Sequence, residues 1–451
     1  MTTHHCGRLL RRSAVVAAAS ATLVGGLAAL PASSYASGSS SQAAAIAAAL
    51  KKPTTLTVWA WAPQSKAIVK AFEKKYPKVK VNLVNVGTAT TEYTKLDNAI
   101  KAGSGAPDIA QIEYYALPQF SLQGALANLS SFGFGKFKSD FSPAVWGSVS
   151  VGGSVVGLPQ DTGPMALFYN KTVFDKYGLT VPKTWSDFLA DAKKLHAANS
   201  SEYMTNDTGD PGFITSMIWD AGGHPYVTKG RANVTINMAD AGAKRFEGLW
   251  SQMISGGLVD PVSAWSSQWY TGLGNGSIAS LVIGGWMGVD LESGVPSGSG
   301  QWRVAAMPTW NGGKPATSEN GGSSDVILKQ SKNQLAAAGF LEFMNVGQGA
   351  KISASTGDFP AANQILASKS FLDTAPAYFG GQKINQVLAA SAHSVIPGFS
   401  YLPFQVYANS IFPDTAGQAY TKNVSLATAL NQWGAKSASY GNQQGFHVTN
   451  K

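Results

Sequence analysis

Between Thr54 and Glu113 the chain switches repeatedly between two hydrophobic periods, and this alternation limits the possible folds more than any other feature. In "TTLTVW" Leu56 and Val58 alternate with Thr57 and Trp59, the period of a strand. In "QSKAIVKAFEKKYP" Ile68, Val69 and Phe72 fall on one helical face, and Pro77 follows its end. "KVKVNLVNVG" is a second strand closed by Gly87. "TEYTKLDNAIKAG" sets Tyr93, Leu96 and Ile100 in helical register and stops at Gly103, and "DIAQIE" is a third strand. Strands alternating with helices at this spacing predict a mainly parallel α/β sheet. Ligands of such sheets bind beyond the carboxyl ends of the strands. Two strand ends, "WAWAPQ" and "EYYALP", place aromatic and polar groups there, which indicates a binding cleft.

Beyond Val151 the pattern changes. "VGGSVVGLP" predicts a hairpin with a Gly-Gly turn. "MALFYN" predicts a strand, and "TWSDFLADAKKLHAAN" a helix opened by a capping box of Thr184 and Asp187. Helices are expected to dominate from Asp210 to about Gly294. "SIASLVIGGW", "WRVAAMPTW" and "SSDVILK" read as further strands, and the tail from Ser355 as helical. No repeat, long charge run or metal-binding cluster stands out, and no cofactor is expected.

The amino terminus reads as a secretory signal peptide over residues 1–36. Arg8, Arg11 and Arg12 precede an uncharged apolar stretch, and small residues lead to a cleavage point after Ala36. The arginine pair leaves twin-arginine export open beside the general secretory route. Cys6 precedes the apolar stretch, so it is not a lipidation site, and the exported chain has no cysteine for disulfides or thiol chemistry. Residues 37–53, "SGSSSQAAAIAAALKKP", read as a flexible or partly helical tether. The chain carries 34 basic and 25 acidic residues, and the lysines and arginines read as scattered rather than striped, which argues against nucleic acid as a partner.

The ordered set "TLTVWAW…AFEKKYPKVKVNLV", "YTKLDNAIKAGSGAPDIAQIEYYALPQF", "VGLPQDTGPMALFYNKTVFDKYGLTVPKTWSDFL", "NGSIASLVIGGWMGVDL", "WRVAAMPTW" and "GFLEFMNVGQGAKISASTGDFPAA" resembles the extracellular solute-binding proteins of bacterial ABC importers. The resemblance is to their oligosaccharide-binding branch, and it covers roughly 54–440. It implies two α/β lobes, each a mainly parallel sheet flanked by helices, joined by three crossings, with a ligand in the cleft between them and hinge closure around it. The crossings are expected near Pro164–Tyr169, Trp302–Ala306 and Val346–Ser353. That gives an N-terminal lobe of 54–166 and 304–349, and a C-terminal lobe of 167–303 and 350–451. The resemblance also implies a carbohydrate ligand, membrane permease subunits as partners, an exported location and a monomer that is not an enzyme.

A sugar offers hydroxyl-rich edges and flat C–H faces, so its site calls for carboxylates and planar aromatics. By resemblance, Trp61 lies on a cleft loop, and Glu113 with Tyr114 at the third strand's end supplies an acid and an aromatic. Asp161 sits at the lobe boundary as a hydrogen-bond acceptor. Trp286 takes a stacking position behind the close-approach glycine Gly285. Gly322 and Ser323 form a backbone-accessible turn, and Asp358 and Phe359 follow the last crossing. Trp265, Trp269 and Tyr270 form an aromatic cluster that either extends the cleft or packs a helix, and Tyr401, Phe404 and Tyr407 read the same way. The competing readings are an exported glycoside hydrolase using Glu113 and Asp161, a surface lectin, or the same fold with a non-sugar ligand. No "GxSxG" or "HExxH" signature accompanies them.

Overall fold

A computed structural model describes residues 34–451. Residues 1–33 of the expected signal peptide lie outside the described residues. The first strands follow the sequence reading. β1 (Thr54–Trp59), β2 (Val79–Val84) and β3 (Ile109–Glu113) pair in parallel, β1 in the middle. Leu56, Val58, Ile109 and Ile112 are buried in one core cluster together with Phe72 of the helix α2 (Ser65–Lys75). The helix α3 (Thr90–Ala102) closes on Gly103 at φ 67°. The expected hairpin is β4 (Ser150–Val151) and β5 (Ser154–Val155), and both turn glycines have positive φ, at 59° and 81°.

After β6 (Leu158–Pro159) the chain leaves this sheet. β7 (Met165–Asn170) is the centre of a second sheet, between β10 (Ser280–Gly284) and β11 (Trp302–Ala305). Both pairings are antiparallel, so the expectation of a mainly parallel sheet holds for β2-β1-β3 and not for the second lobe. Within the helical stretch a hairpin of β8 (Tyr226–Lys229) and β9 (Asn233–Ile236) intervenes. β12 (Ser323–Ile327) returns to the first sheet, antiparallel to β3 and β6, giving the order β2-β1-β3-β12-β6. The tail is not wholly helical, since β13 (His447–Asn450) adds in parallel to β9.

Strand pairing relocates all three crossings. Residues 165–170 already belong to the second sheet, so the first crossing is 160–164. β11 also belongs to that sheet, which moves the second crossing to 317–322. The helix Gln348–Ser355 packs on α2 in the first lobe, so the third crossing follows it, at 358–361. Lobe boundaries inferred from segment order alone are therefore displaced slightly at the first crossing and by considerably more at the second and third.

The segment read as a tether is instead the docked helix α1 (Ser34–Ala49). Ile46 and Leu50 are buried against the helix Gln334–Asn345, where a Cβ on Gly339 would come within 2.8 Å of Leu50. Gln42 Nε2 also donates to the Ser131 carbonyl at 2.8 Å. Each buried aliphatic side chain contributes about 1.5–3 kcal/mol, enough to hold so Ala-rich a helix in place. No helix among the described residues is long and apolar enough to cross a membrane.

Candidate functional site

The three crossings lie side by side, the first in the middle. Gln160 N–H donates to Ser323 O at 2.9 Å, and Ala361 N–H to Gln160 O at 3.2 Å. Thr162 N–H donates to Phe359 O at 3.1 Å, and Asn320 N–H to Gly163 O at 2.8 Å. A buried carboxylate clips this ribbon: Glu319 accepts from Thr162 Oγ1 and from Gly163 N–H, each at 2.7 Å. Burial raises the pKa of Glu319 to about 7, with those donors opposing the rise. Gly163 is required here because a Cβ would stand 2.0 Å from Asn320 O.

Above this ribbon opens a cleft of about 850 Å³, within the usual range of small-ligand sites. A neighbouring cavity of about 460 Å³ shares Thr88, Glu113, Trp286 and Gly321 with it. Of the twelve expected residues, seven line the main cleft: Trp61, Glu113, Asp161, Trp286, Gly322, Ser323 and Asp358. An eighth, Trp265, lines the second cavity.

Each is held from behind. Trp61 lies edge-on to Tyr93, with ring centroids 6.3 Å apart. Glu113 takes the Tyr93 hydroxyl at 3.2 Å and is also bonded by Tyr115. Burial raises its pKa, and the two phenols oppose that. Asp161 accepts Ser323 N–H through Oδ1 at 2.5 Å. Its pKa is pushed well up, by burial first and then by the neighbouring Asp358. Asp358 accepts from Gln64 Nε2 at 2.7 Å and Ser353 Oγ at 2.5 Å, and burial raises it too. Trp286 donates its indole N–H to Asn320 O at 2.6 Å, which ties the ring edge to the hinge and leaves a face for the cleft. Trp265 stacks on Trp286 with centroids 5.7 Å apart and planes at 28°. It is 44% exposed and has φ 67°, a strained backbone for a bulky residue and one that tends to be kept at functional sites.

Four expected residues stand one layer back. Tyr114 is buried, its ring against Gly322 and its hydroxyl donating to Asp161 O at 2.7 Å, so it positions the cleft rather than lining it. Phe359 points into the core against Phe371. A Cβ on Gly285 would point toward Leu388 and Phe359, away from the cleft. Trp269 is fully buried beneath Trp265. In each case the neighbour along the chain takes the cleft-facing position.

The structure also adds residues. Gln111 Oε1 accepts Trp61 N–H and Ala62 N–H at 3.1 Å each, while its amide donates to Ser323 Oγ at 3.2 Å. It couples the Trp61 loop to the hinge. Its signal was a lone amide inside the apolar strand "IAQIE". Asp290 faces the cleft one helical turn after Trp286, its pKa raised by burial and by Asp358. Tyr401, already read as either cleft or packing, meets Tyr115 of the first lobe edge-on at 6.5 Å, and both line the second cavity. No group of three or more metal-ligating side chains occurs among the described residues.

Residues 25–346 match the family described as bacterial extracellular solute-binding protein. The lactose-binding protein of Rhizobium radiobacter is 28% identical over 304 residues, 63% of this chain and 69% of the relative. The solved ABC transporter-associated binding protein of B. animalis subsp. lactis Bl-04, in complex with beta-1,6-galactobiose, is 44% identical. It superposes with a TM-score of 0.80 over 88% of this chain and 99% of its own. The galacto-N-biose-/lacto-N-biose I-binding protein of Bifidobacterium longum, in complex with lacto-N-biose, is 26% identical with a TM-score of 0.76 over 88% and 98%. With a match over more than half its length and two lobes meeting at a three-stranded hinge, this chain belongs to the bacterial extracellular solute-binding protein family.

Proposed function

We propose that this protein is the exported sugar-binding component of an ABC importer, a binding protein rather than an enzyme. Its cleft takes a short, uncharged oligosaccharide, with galactose-containing disaccharides the favoured class. Relatives that bind lactose, beta-1,6-galactobiose and lacto-N-biose support the sugar class. The observation that carries the reading is the pairing across one cleft of acceptors with flat apolar faces. Glu113, Asp161 and Asp358 are anchored through hydrogen bonds to the protein, while Trp61, Trp286 and Trp265 present rings. Carboxylates accept hydroxyl hydrogen bonds about twice as strongly as neutral groups do. An indole face covers a pyranose C–H face.

Bound sugar bridges the lobes, so closure buries it and hands the permease subunits a distinct, loaded conformation. The test is calorimetry and intrinsic tryptophan fluorescence against beta-1,6-galactobiose, lacto-N-biose, lactose and maltose. Saturable binding of a galactoside with a shifted emission is expected. A flat response to every sugar at millimolar concentration overturns the reading.

A further inference from the structure

The lysines are not evenly scattered: one segment of the first lobe concentrates exposed lysines. Residues 51–80 hold eight lysines and a single acid, Glu73, a net of +7. Residues 37–451 as a whole, with 31 basic and 25 acidic residues, carry only +6. Everything outside this segment is therefore close to neutral. Lys66, Lys70 and Lys74 follow one another at four-residue spacing along the exposed side of α2. Lys51, Lys75 and Lys78 surround a groove of about 650 Å³ floored by Ile46, Leu50, Tyr76 and Phe343. None of the eight forms an ion pair among the described residues. The nearby acids are engaged elsewhere, Glu73 accepting Val81 N–H at 2.9 Å and Glu342 bridging to Lys136 at 3.4 Å.

The chemistry of this face discriminates between partners. It contains no arginine, the residue whose planar fork recognises a fixed carboxylate, and lysine is depleted in specific protein interfaces. Lysines on flexible stems suit a diffuse negative surface. At such a surface each adds an attraction that fades within a Debye length, about 8 Å at physiological salt. We propose that this face docks the protein on the anionic phospholipid surface of a membrane. α2 is about 16 Å long, and Lys66 at its start also lines the sugar cleft. Docking therefore brings the cleft mouth to the bilayer.

The test is co-sedimentation of the exported chain with phosphatidylcholine vesicles, with and without about one third phosphatidylglycerol. Anionic vesicles should pellet the protein at low salt, with partitioning falling at least about tenfold at roughly 0.5 M salt. Reversing Lys70, Lys74 and Lys78 to Glu should abolish pelleting. Reversing the exposed second-lobe lysines Lys193, Lys244 and Lys436, an equal change in charge, should leave most of it. Absence of pelleting, equal pelleting on neutral vesicles, or equal loss in both triple variants overturns the proposal. So does binding to soluble poly-glutamate as tight as to vesicles, which marks a site for acidic polypeptide. The inference is independent of the sugar assignment. Titrating a galactoside into the Lys70/Lys74/Lys78 variant separates failure of one from failure of the other, because Lys66 and the cleft are untouched.

Discussion

The second-lobe core and the cleft are built from the same two kinds of side chain, and the contrast between them shows what makes a site. In the core, Asp207 accepts from the Trp250 indole at 3.1 Å and from the Tyr420 hydroxyl. Asp220 accepts from Trp185 at 3.3 Å and Trp310 at 2.8 Å. Burial raises both to about 7. In the cleft, Asp161 and Asp358 are likewise raised by burial, beside Trp286 and Trp265. The difference lies in the second carboxylate oxygen. In Asp207 and Asp220 it is sealed inside with no partner among the described residues. Asp161 ties one oxygen to Ser323 N–H and lines the cleft, where an incoming hydroxyl can reach it. Aromatics with perturbed acids mark burial; only where the crossings part do they also line an open cleft.

The largest effect should come from breaking the core member. Trp250 is fully buried among Trp185, Phe188, Phe213 and Phe246. Trp250→Ala should lose about 3–5 kcal/mol of stability by denaturant titration, while protein that remains folded keeps its sugar affinity. Trp286→Ala should do the reverse, weakening binding by about 1–3 kcal/mol with a far smaller change in the apo melt. If Trp286→Ala destabilises the fold as Trp250→Ala does, the two regions do not differ in kind. Asp161→Asn is the finer cut. The amide oxygen still accepts Ser323 N–H, so the apo melt should hardly move, while the lost charge weakens binding by about 1–2 kcal/mol. Calorimetry on the same preparation reads both.

Local chemistry was legible in the sequence wherever a few adjacent residues fix a structure. The Thr184/Asp187 capping box forms both of its bonds. Gly152 and Gly153 turn the hairpin, and β1, β2 and β3 alternate as read. What sequence order hid was pairing between distant segments: the antiparallel setting of β7, the return of β13 to β9 and the position of each crossing. The site divides along the same line. The segments named by resemblance line the cleft, but resemblance did not say which of two neighbouring side chains turns inward, so Tyr114 and Phe359 were taken with Glu113 and Asp358. The pleat, helix phase and turn geometry that separate them are set by tertiary packing. The lysine cluster, by contrast, lies within one contiguous stretch, residues 51–80, and was hidden only because charge was read over the whole chain.

The smallest effect separates the two regions by sign. Glu319, Asp207, Asp220 and Asp325 are raised by burial to about 7, and Glu92 to about 8. Unfolded carboxyls titrate near 4. Between those limits the folded protein holds protons that the unfolded chain has released, so stability falls as pH rises. The apo protein should therefore melt at a higher temperature at pH 5 than at pH 8. Glu319→Gln should reduce that slope, since its amide keeps one acceptor for the crossing and no longer titrates. Sugar affinity should move the other way, because Asp161 and Asp358 accept hydroxyl hydrogen bonds most strongly once ionised. As pH rises, then, binding should strengthen while the apo melt declines; Asp161→Asn should flatten the first trend and, because Asp161 is itself raised by burial, also reduce the slope of the second. Two curves falling together would place the cleft acids in the same class as those of the core.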